Sequence, residues 1–141
     1  MYGGQQKYEK RWLILISFII AVMIMITLSI FAGKRPYKDL QTSDIVCASV
    51  HLVPPDKTVE INEIEELVTI LKDIVIYSED NSYTEYTGQA TSFTLVMKDG
   101  STEKITAYNP FIIINGTGYK AKYEPCERVN NYANKLLKEF S

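Results

Sequence analysis

Histidine and cysteine, the side chains on which most metal centres and nucleophilic enzymes depend, are scarce in this chain. Its 141 residues contain one histidine, His51, and two cysteines. No other metal-type ligand lies at a recognisable spacing from His51, which favours a hydrogen-bonded strand histidine over a zinc ligand. A Ser-His-Asp arrangement stays open, but no nucleophile-elbow motif accompanies the serines. We therefore predict no metal, no cofactor and no catalytic site.

Loops that bind phosphate or calcium are also missing from the sequence. There is no glycine-rich phosphate loop. Residues 80–85 alternate oxygen-bearing side chains, but Glu85 stands where a calcium loop requires glycine. Neighbouring carboxylates such as Glu65 and Glu66 recur throughout this acidic chain, so they do not indicate acid–base catalysis.

The two cysteines, Cys47 and Cys126, are too few to form a disulfide framework. Cys126 follows Pro125 in the first turn of a predicted helix, where the helix dipole lowers the pKa of a thiol. An oxidising, extracytoplasmic location would permit a bridge between the two cysteines. We predict two free thiols instead, because the last helix can be held by its own apolar residues.

One long apolar run is present. Residues 12–32 form a stretch of 21 residues with no charge, proline or glycine. A helix of that length spans about 30 Å, the hydrocarbon thickness of a bilayer. The run is longer than the core of a secretory signal, and Ile30 breaks the small-x-small pattern of a cleavage site. We predict a retained, single transmembrane helix that contacts the lipid bilayer through residues 12–32.

The orientation of this helix is not decided by charge. Three basic residues precede it and three follow it: Lys7, Lys10, Arg11, Lys34, Arg35 and Lys38. The short preceding segment favours a cytoplasmic N-terminus in the cell membrane. We therefore predict a cytoplasmic tail at 1–11, the span at 12–32, a juxtamembrane linker at 33–43 and an extracytoplasmic domain at 44–141.

The predicted domain is strongly acidic. Residues 39–141 carry 9 basic and 16 acidic side chains, a net charge of −7. Such a domain is repelled by the phosphates of nucleic acids and by anionic lipid headgroups. We expect no nucleic-acid partner.

Apolar periodicity in the domain predicts strands and helices in alternation. Residues 46–52 alternate as a half-buried strand, and Asn62 with Glu65 has the pattern of a capping box that opens a helix. Two hairpins are predicted at Asp99-Gly100 and Asn115-Gly116, joining residues 93–97 to 102–108 and 111–114 to 119–123. The first helix is expected to bury a stripe formed by Ile64, Leu67, Val68, Leu71 and Val75. Pro125 is predicted to open a final helix, whose inner stripe is Val129, Tyr132, Ala133, Leu136 and Phe140.

These elements predict an α+β fold after the transmembrane helix. A hairpin-built antiparallel sheet offers one face to a core, and both amphipathic helices need an apolar surface. We expect a curved antiparallel sheet with the two helices packed on one face.

Tyrosine is abundant, with ten in the chain. Tyr83 and Tyr86 lie in a polar segment, residues 78–91, beside Glu79, Asp80 and Glu85. Exposed tyrosines are favoured binding residues because they offer large, stiff, amphipathic area. The alternative is that the rings fold back and cover the sheet. As a binding site, these five residues would suit a partner with a basic or amide-rich surface.

Several short segments of residues 36–138 resemble a known family. They are Tyr37-Lys38-Asp39-Leu40, Ser43-Asp44-Ile45-Val46, Pro54-Pro55-Asp56-Lys57-Thr58, Asn81-Ser82-Tyr83-Thr84-Glu85-Tyr86, Ala107-Tyr108-Asn109-Pro110-Phe111, Ile114-Asn115-Gly116 and Tyr123-Glu124-Pro125-Cys126-Glu127. The family is a small extracytoplasmic domain of Gram-positive, largely clostridial, bacteria. It is carried on single-span or lipoprotein anchors and appended to membrane metallopeptidases of the BlaR/MecR type. The resemblance implies a location and an architecture but no activity, and this chain has no HExxH motif.

Three functions are compatible with these observations. The first is a membrane-anchored recognition or sensor module that binds a protein, peptide or envelope ligand. The second is an accessory subunit of a membrane complex, although the span has no GxxxG pattern. The third is an envelope enzyme with an unrecognised site. The missing catalytic motifs favour a protein that is not an enzyme.

Overall fold

The computed structural model describes the backbone of residues 3–140 and the side chains from Lys7 onward. Met1 and Tyr2 of the predicted tail and Ser141 of the predicted domain lie outside the described residues. The chain divides after Gly33 into two compact units. The first is the N-terminal helix and the second is the remainder, from Lys34.

The N-terminal helix, α1, runs over Gly3–Ala32. Its segment Lys7–Ala32 is long and apolar enough to cross a membrane, and within the described residues no other helix passes that test. The Ser17 hydroxyl donates to the carbonyl of Ile14 at 2.8 Å, and that of Thr27 donates to the carbonyl of Ile24 at 2.8 Å. Both hydroxyls are therefore satisfied within the helix, as a hydrocarbon environment requires.

The second unit is built on one antiparallel sheet. Within the described residues its strands are β1 (Ile45–Val53), β2 (Lys57–Ile61), β3 (Ile76–Glu79), β4 (Ala90–Met97), β5 (Thr102–Tyr108), β6 (Phe111–Ile114) and β7 (Thr117–Ala121). They are ordered β2-β1-β4-β5-β6-β7-β3. Helices α2 (Ile64–Lys72) and α3 (Tyr123–Glu139) complete the unit. The structure confirms the α+β fold. The sheet is open and does not curl, whereas the sequence predicts a curved sheet.

Alternation along the strands decides which sheet face is buried. Val50, Phe93 and Ile105 are direct neighbours across three strands and are fully buried. They join Leu67 and Leu71 of α2 and the inner residues of α3 in one core. The rings of Phe93 and Tyr132 stack with centroids 6.3 Å apart. Both helices therefore cover the same face, called here the covered face; the opposite face of the sheet is called the open face.

Each of the two hairpin turns predicted by the sequence contains a glycine with a positive φ angle. Asn115 and Gly116 have positive φ angles of 51° and 91° and join β6 to β7 as a two-residue turn, which confirms the prediction. At the other hairpin, the Met97 N–H donates to the Ser101 carbonyl at 2.9 Å, so three residues form the loop. Gly100 supplies the left-handed residue of that loop, with φ 86°. The predicted two-residue turn at Asp99-Gly100 is therefore one residue too short.

Several element boundaries differ from the sequence prediction. The predicted capping box at Asn62 is wrong: Glu63 is the N-cap of α2, and no side chain caps it. The helix ends at Lys72, so Val75 lies beyond it, and Ile74 is buried instead. At the end of α3, Phe140 is 50% exposed and does not belong to the buried face.

Residues 34–43, assigned to a linker by sequence, pack within the second unit. The Lys34 N–H and carbonyl both pair with Ile76 of β3, at 2.7 and 2.8 Å. Arg35 donates to the Lys72 carbonyl at 2.7 Å and so caps the C-terminal end of α2. Tyr37 is buried in the core. The folded unit therefore begins directly after Gly33.

Candidate functional site

The tyrosine-rich loop between β3 and β4 lies over the open face. Register places Phe111, Ile113, Gly118 and Lys120 on that face, because their strand neighbours Ile112 and Ile114 join the core side. Phe111 and Ile113 are nevertheless only 3% and 7% exposed. The ring of Tyr83 is 6.5 Å from that of Phe111, centroid to centroid. The loop thus buries a small apolar patch on the open face.

Gly118 of β7 is the point where the loop docks. Its N–H donates to Asn81 Oδ1 at 2.8 Å, and its carbonyl accepts from the Asp80 N–H at 2.9 Å. A Cβ at this position would lie 2.5 Å from the Asp80 carbonyl oxygen and 2.6 Å from Tyr83 Cδ1. Glycine is required here because the loop approaches the strand so closely.

Beside the docked loop is an open groove of about 360 Å³, called here the tyrosine groove. It is lined by Tyr77, Asp80, Ser82, Tyr86, Pro110, Phe111, Lys120 and Ala121. Tyr77 is 43% exposed and Tyr86 is 58% exposed. Tyr86 rests on Phe111 with ring centroids 5.5 Å apart and an interplanar angle of 51°. The groove therefore presents aromatic side chains supported by a buried ring.

Asp80 brings a charge to this groove. One carboxylate oxygen accepts from the Ser82 N–H at 2.9 Å, and the other lies 3.5 Å from Lys120 Nζ. Hydrogen bonds from Ser82, with the nearby Lys120 ammonium, hold the pKa of Asp80 below its ordinary value. The carboxylate is consequently ionised at neutral pH, at the edge of an aromatic surface.

Of the five residues that the sequence suggests as a binding site, only some line the groove. Tyr86 and Asp80 line the groove, whereas Tyr83 is half-buried against Gly118. Glu79 accepts from the Asn81 side chain, and Glu85 is exposed; neither lines the groove. The sequence reasoning missed Tyr77, Lys120 and Phe111, which the sheet register brings to the loop from three other strands.

His51 forms a hydrogen-bonded row on the open face. Its Nδ1 lies 2.9 Å from Thr58 Oγ1, and its Nε2 lies 3.3 Å from Asp56 Oδ1. The row joins β1 to β2 across their hairpin, and the Asp56 side chain is 82% exposed. Over residues 3–140, no group of three or more metal-ligating side chains could hold a metal ion.

The lowered thiol pKa that the sequence predicts for Cys126 is wrong. The side chain is fully buried, and Sγ donates to the Phe111 carbonyl at 3.4 Å. Burial raises the pKa of this thiol from 9.0 to about 12, which is opposite to the lowering that the sequence predicts. Cys47 is exposed on β1, and both cysteines are free.

No known protein family, curated protein or solved structure matches this chain. The family resemblance found in the sequence therefore stays a prediction. What bears on function is the apolar helix, the acidic domain and the tyrosine groove.

Proposed function

We propose that this protein is a single-pass, membrane-anchored recognition module whose extracytoplasmic domain binds a partner through the tyrosine groove. The observation that carries the proposal is the pair Tyr77 and Tyr86, both exposed at one groove and supported by buried Phe111. Tyrosine is enriched among the residues that dominate binding energy, because it buries much area and loses little conformational entropy.

The shape of the groove suits recognition rather than catalysis. It is open, and its polar groups are Asp80, Ser82 and Lys120 beside apolar walls. A few polar groups that fix orientation, set among aromatic side chains, are typical of binding sites. The His51 row lies on a surface hairpin, where we assign it the role of joining β1 to β2.

The charge of the domain supports its location. The cytoplasmic leaflet carries a negative surface potential, which would repel residues 34–141, whose 12 basic and 16 acidic side chains give a net charge of −4. On the outer side the same charge favours solubility and disfavours contact with the membrane surface. The proposal therefore places the N-terminus inside and residues 34–141 outside.

Protease treatment of intact spheroplasts tests this location. An epitope placed at the C-terminus should be lost on digestion, whereas one at the N-terminus should survive until the cells are lysed. Protection of the C-terminal epitope in intact cells would contradict the proposal.

Crosslinking tests the recognition role. Full chain carrying Tyr77→Ala and Tyr86→Ala should lose the crosslinked envelope partner that the unaltered chain retains. Tyr123→Ala is the matched control, because Tyr123 is 57% exposed but does not line the groove. Equal crosslinking by the double variant and by the control would refute a role for the groove.

A further inference from the structure

Basic side chains gather where the folded unit begins. Arg35 donates to the Lys72 carbonyl from Nε and Nη2, at 3.1 and 2.7 Å, and its Nη2 lies 3.2 Å from Asp73 Oδ1. The other oxygen of this carboxylate lies 3.0 Å from Nη1 of Arg128, which reaches it from α3. Lys34 precedes Arg35 in the chain and is exposed. The four basic residues of this region are called here the basic cluster: Lys34, Arg35, Lys72 and Arg128.

The cluster carries more positive charge than its contacts neutralise. Among the described residues, Asp73 is the acidic residue that forms ion pairs with the cluster, so four cations face one carboxylate and the local net charge is +3. Without these five residues, the unit from Lys34 has 8 basic and 15 acidic side chains, a net charge of −7. The net charge of the whole unit therefore conceals a basic region and a strongly acidic remainder.

The two guanidinium groups keep hydrogen-bond donors for a second anion. Each guanidinium has five N–H donors, and the contacts above use Nη1 of Arg128 and the Nε and Nη2 of Arg35. The side chains of Arg35 and Arg128 are 50% and 53% exposed, so an anion can approach them from solvent. Arginine binds phosphate through paired N–H···O bonds. The cluster therefore suits a ligand that carries a phosphate.

The chain places this cluster close to the surface of a bilayer. Lys34 is the second residue after Ala32, where the candidate span ends. Two residues of chain reach at most about 8 Å. The headgroup layer on each side of the hydrocarbon is about 5–8 Å thick. A bilayer that contains the span therefore brings phospholipid phosphates within reach of Lys34 and Arg35.

Salt screening determines which charges of the protein a lipid headgroup meets. At physiological ionic strength the screening length is about 8 Å. A headgroup beside the cluster is therefore attracted by the local charge more strongly than it is repelled by carboxylates elsewhere on the unit. The net charge of −4 acts on the unit as a whole, whereas contact with a single lipid depends on the charges next to it.

We propose that the basic cluster binds the phosphate of an anionic phospholipid in the leaflet at the end of the span. This inference uses the membrane anchor proposed above and goes beyond the recognition role. The phosphate lies against the guanidinium groups of Arg35 and Arg128, and the ammonium groups of Lys34 and Lys72 add to the attraction. Basic residues clustered beside a membrane helix are typical of binding sites for anionic lipid headgroups.

Lipid retention by the full chain tests the proposal. The chain is purified in neutral maltoside micelles with Lys7→Gln, Lys10→Gln and Arg11→Gln as a background, because basic residues at the other end of the span would bind the same lipids. Phosphatidylglycerol and phosphatidylcholine with identical acyl chains are added in equal amounts, and bound lipid is counted by native mass spectrometry. Phosphatidylglycerol should be retained about threefold or more over phosphatidylcholine, whose choline neutralises the phosphate.

Substitutions within and outside the cluster locate the bound lipid. Lys34→Gln with Lys72→Gln removes two charges that form no ion pair among the described residues, and it should lower the preference by about twofold or more. Lys98→Gln with Lys138→Gln is the matched control, because both lysines are exposed and lie outside the cluster. Arg128→Gln should also lower the preference. Because Arg128 is far from the span in sequence, its effect distinguishes the folded cluster from a basic segment beside the span.

Several results would overturn the proposal. Equal retention of the two lipids, or equal loss in the cluster and control variants, would show that the cluster is not a lipid site. Full retention by Arg128→Gln would show that charge next to the span is sufficient. Release of bound phosphatidylglycerol by millimolar inorganic phosphate would assign the cluster to a free anion, and release by hexaglutamate would assign it to an acidic protein.

Two further features keep these results distinct from other failures. Unfolding midpoints in the same micelles identify any loss of binding that is caused by unfolding, and in that case the paired variant at Lys34 and Lys72 decides, because it breaks no ion pair of the described residues. The tyrosine groove shares no residue with the cluster, so the crosslinking test of the recognition role is independent of these results.

Discussion

At the scale of single residues, Gly118 determines whether the loop can reach the sheet. Gly118→Ala should lower the free energy of unfolding by about 1–3 kcal/mol, because the added Cβ meets the Asp80 backbone and the Tyr83 ring. Denaturant titration of the full chain in micelles measures this loss. Gly88→Ala is the control: the nearest atoms to its Cβ would be those of the Tyr108 side chain, at 3.6 Å or more. Equal stability of the two variants would contradict the docked position of the loop.

A second residue, Cys126, gives the domain a dependence on alkaline pH. Its pKa in the folded state, about 12, exceeds its ordinary value of 9.0. Below pH 9 the thiol is protonated in both states, and its contribution to stability is complete. As the pH rises from 9 towards 12, the unfolded state loses this proton first, so the free energy of unfolding falls.

In the variant Cys126→Ala, the free energy of unfolding should therefore fall less steeply between pH 9 and 10. Above pH 10 the tyrosines Tyr37 and Tyr132, whose pKa values are raised by burial, add to the same trend, so the thiol is best separated below that pH. The unaltered chain is the reference for this slope. Denaturant midpoints measured across this interval check the expectation; identical slopes for the variant and the unaltered chain would refute it.

At the scale of elements, α2 depends on its buried leucines. Leu71 is fully buried, and Leu71→Ala should cost about 2–5 kcal/mol through lost contacts and a cavity. Thr69→Ala is a control on the exposed side of the same helix. Unfolding midpoints of the two variants give the comparison. A cost below about 0.5 kcal/mol for Leu71→Ala would place that residue outside the core.

Short sequence patterns predict the turns and helices that depend only on residues close together in the chain. The Asn115-Gly116 turn needs positive φ at two positions, and the stripe of α2 needs only the helical period. Strands β2 and β3 cannot be predicted from local patterns, because each is short and lies at an edge, where pairing depends on distant residues. For the same reason the sequence suggested Tyr86 and Asp80 but not Tyr77 or Lys120. The groove forms because β3, β6 and β7 lie side by side next to the loop. Their order depends on pairing between strands that are far apart in the sequence.

At the scale of the whole molecule, the folded unit should be autonomous from Lys34. A fragment of residues 34–141 is expected to be soluble and to unfold cooperatively. A fragment of residues 44–141 should be less stable by at least about 2 kcal/mol, because it lacks buried Tyr37 and the Lys34–Ile76 pairing. Thermal and denaturant unfolding of the two fragments provides the measurement. Equal stability would show that residues 34–43 contribute nothing to the fold.

The pairing of Lys34 with Ile76 also bears on how copies of the protein behave when crowded. Molecules tethered to a bilayer diffuse in two dimensions and collide often, and an unpaired strand edge is a template for cross-β stacking. On β3, a strand of four residues, Lys34 already occupies the outer hydrogen-bonding groups of Ile76. The opposite edge, β2, is five residues long and carries Lys57 and Glu60. The residue that begins the folded unit thus shortens the unpaired part of one of its two sheet edges.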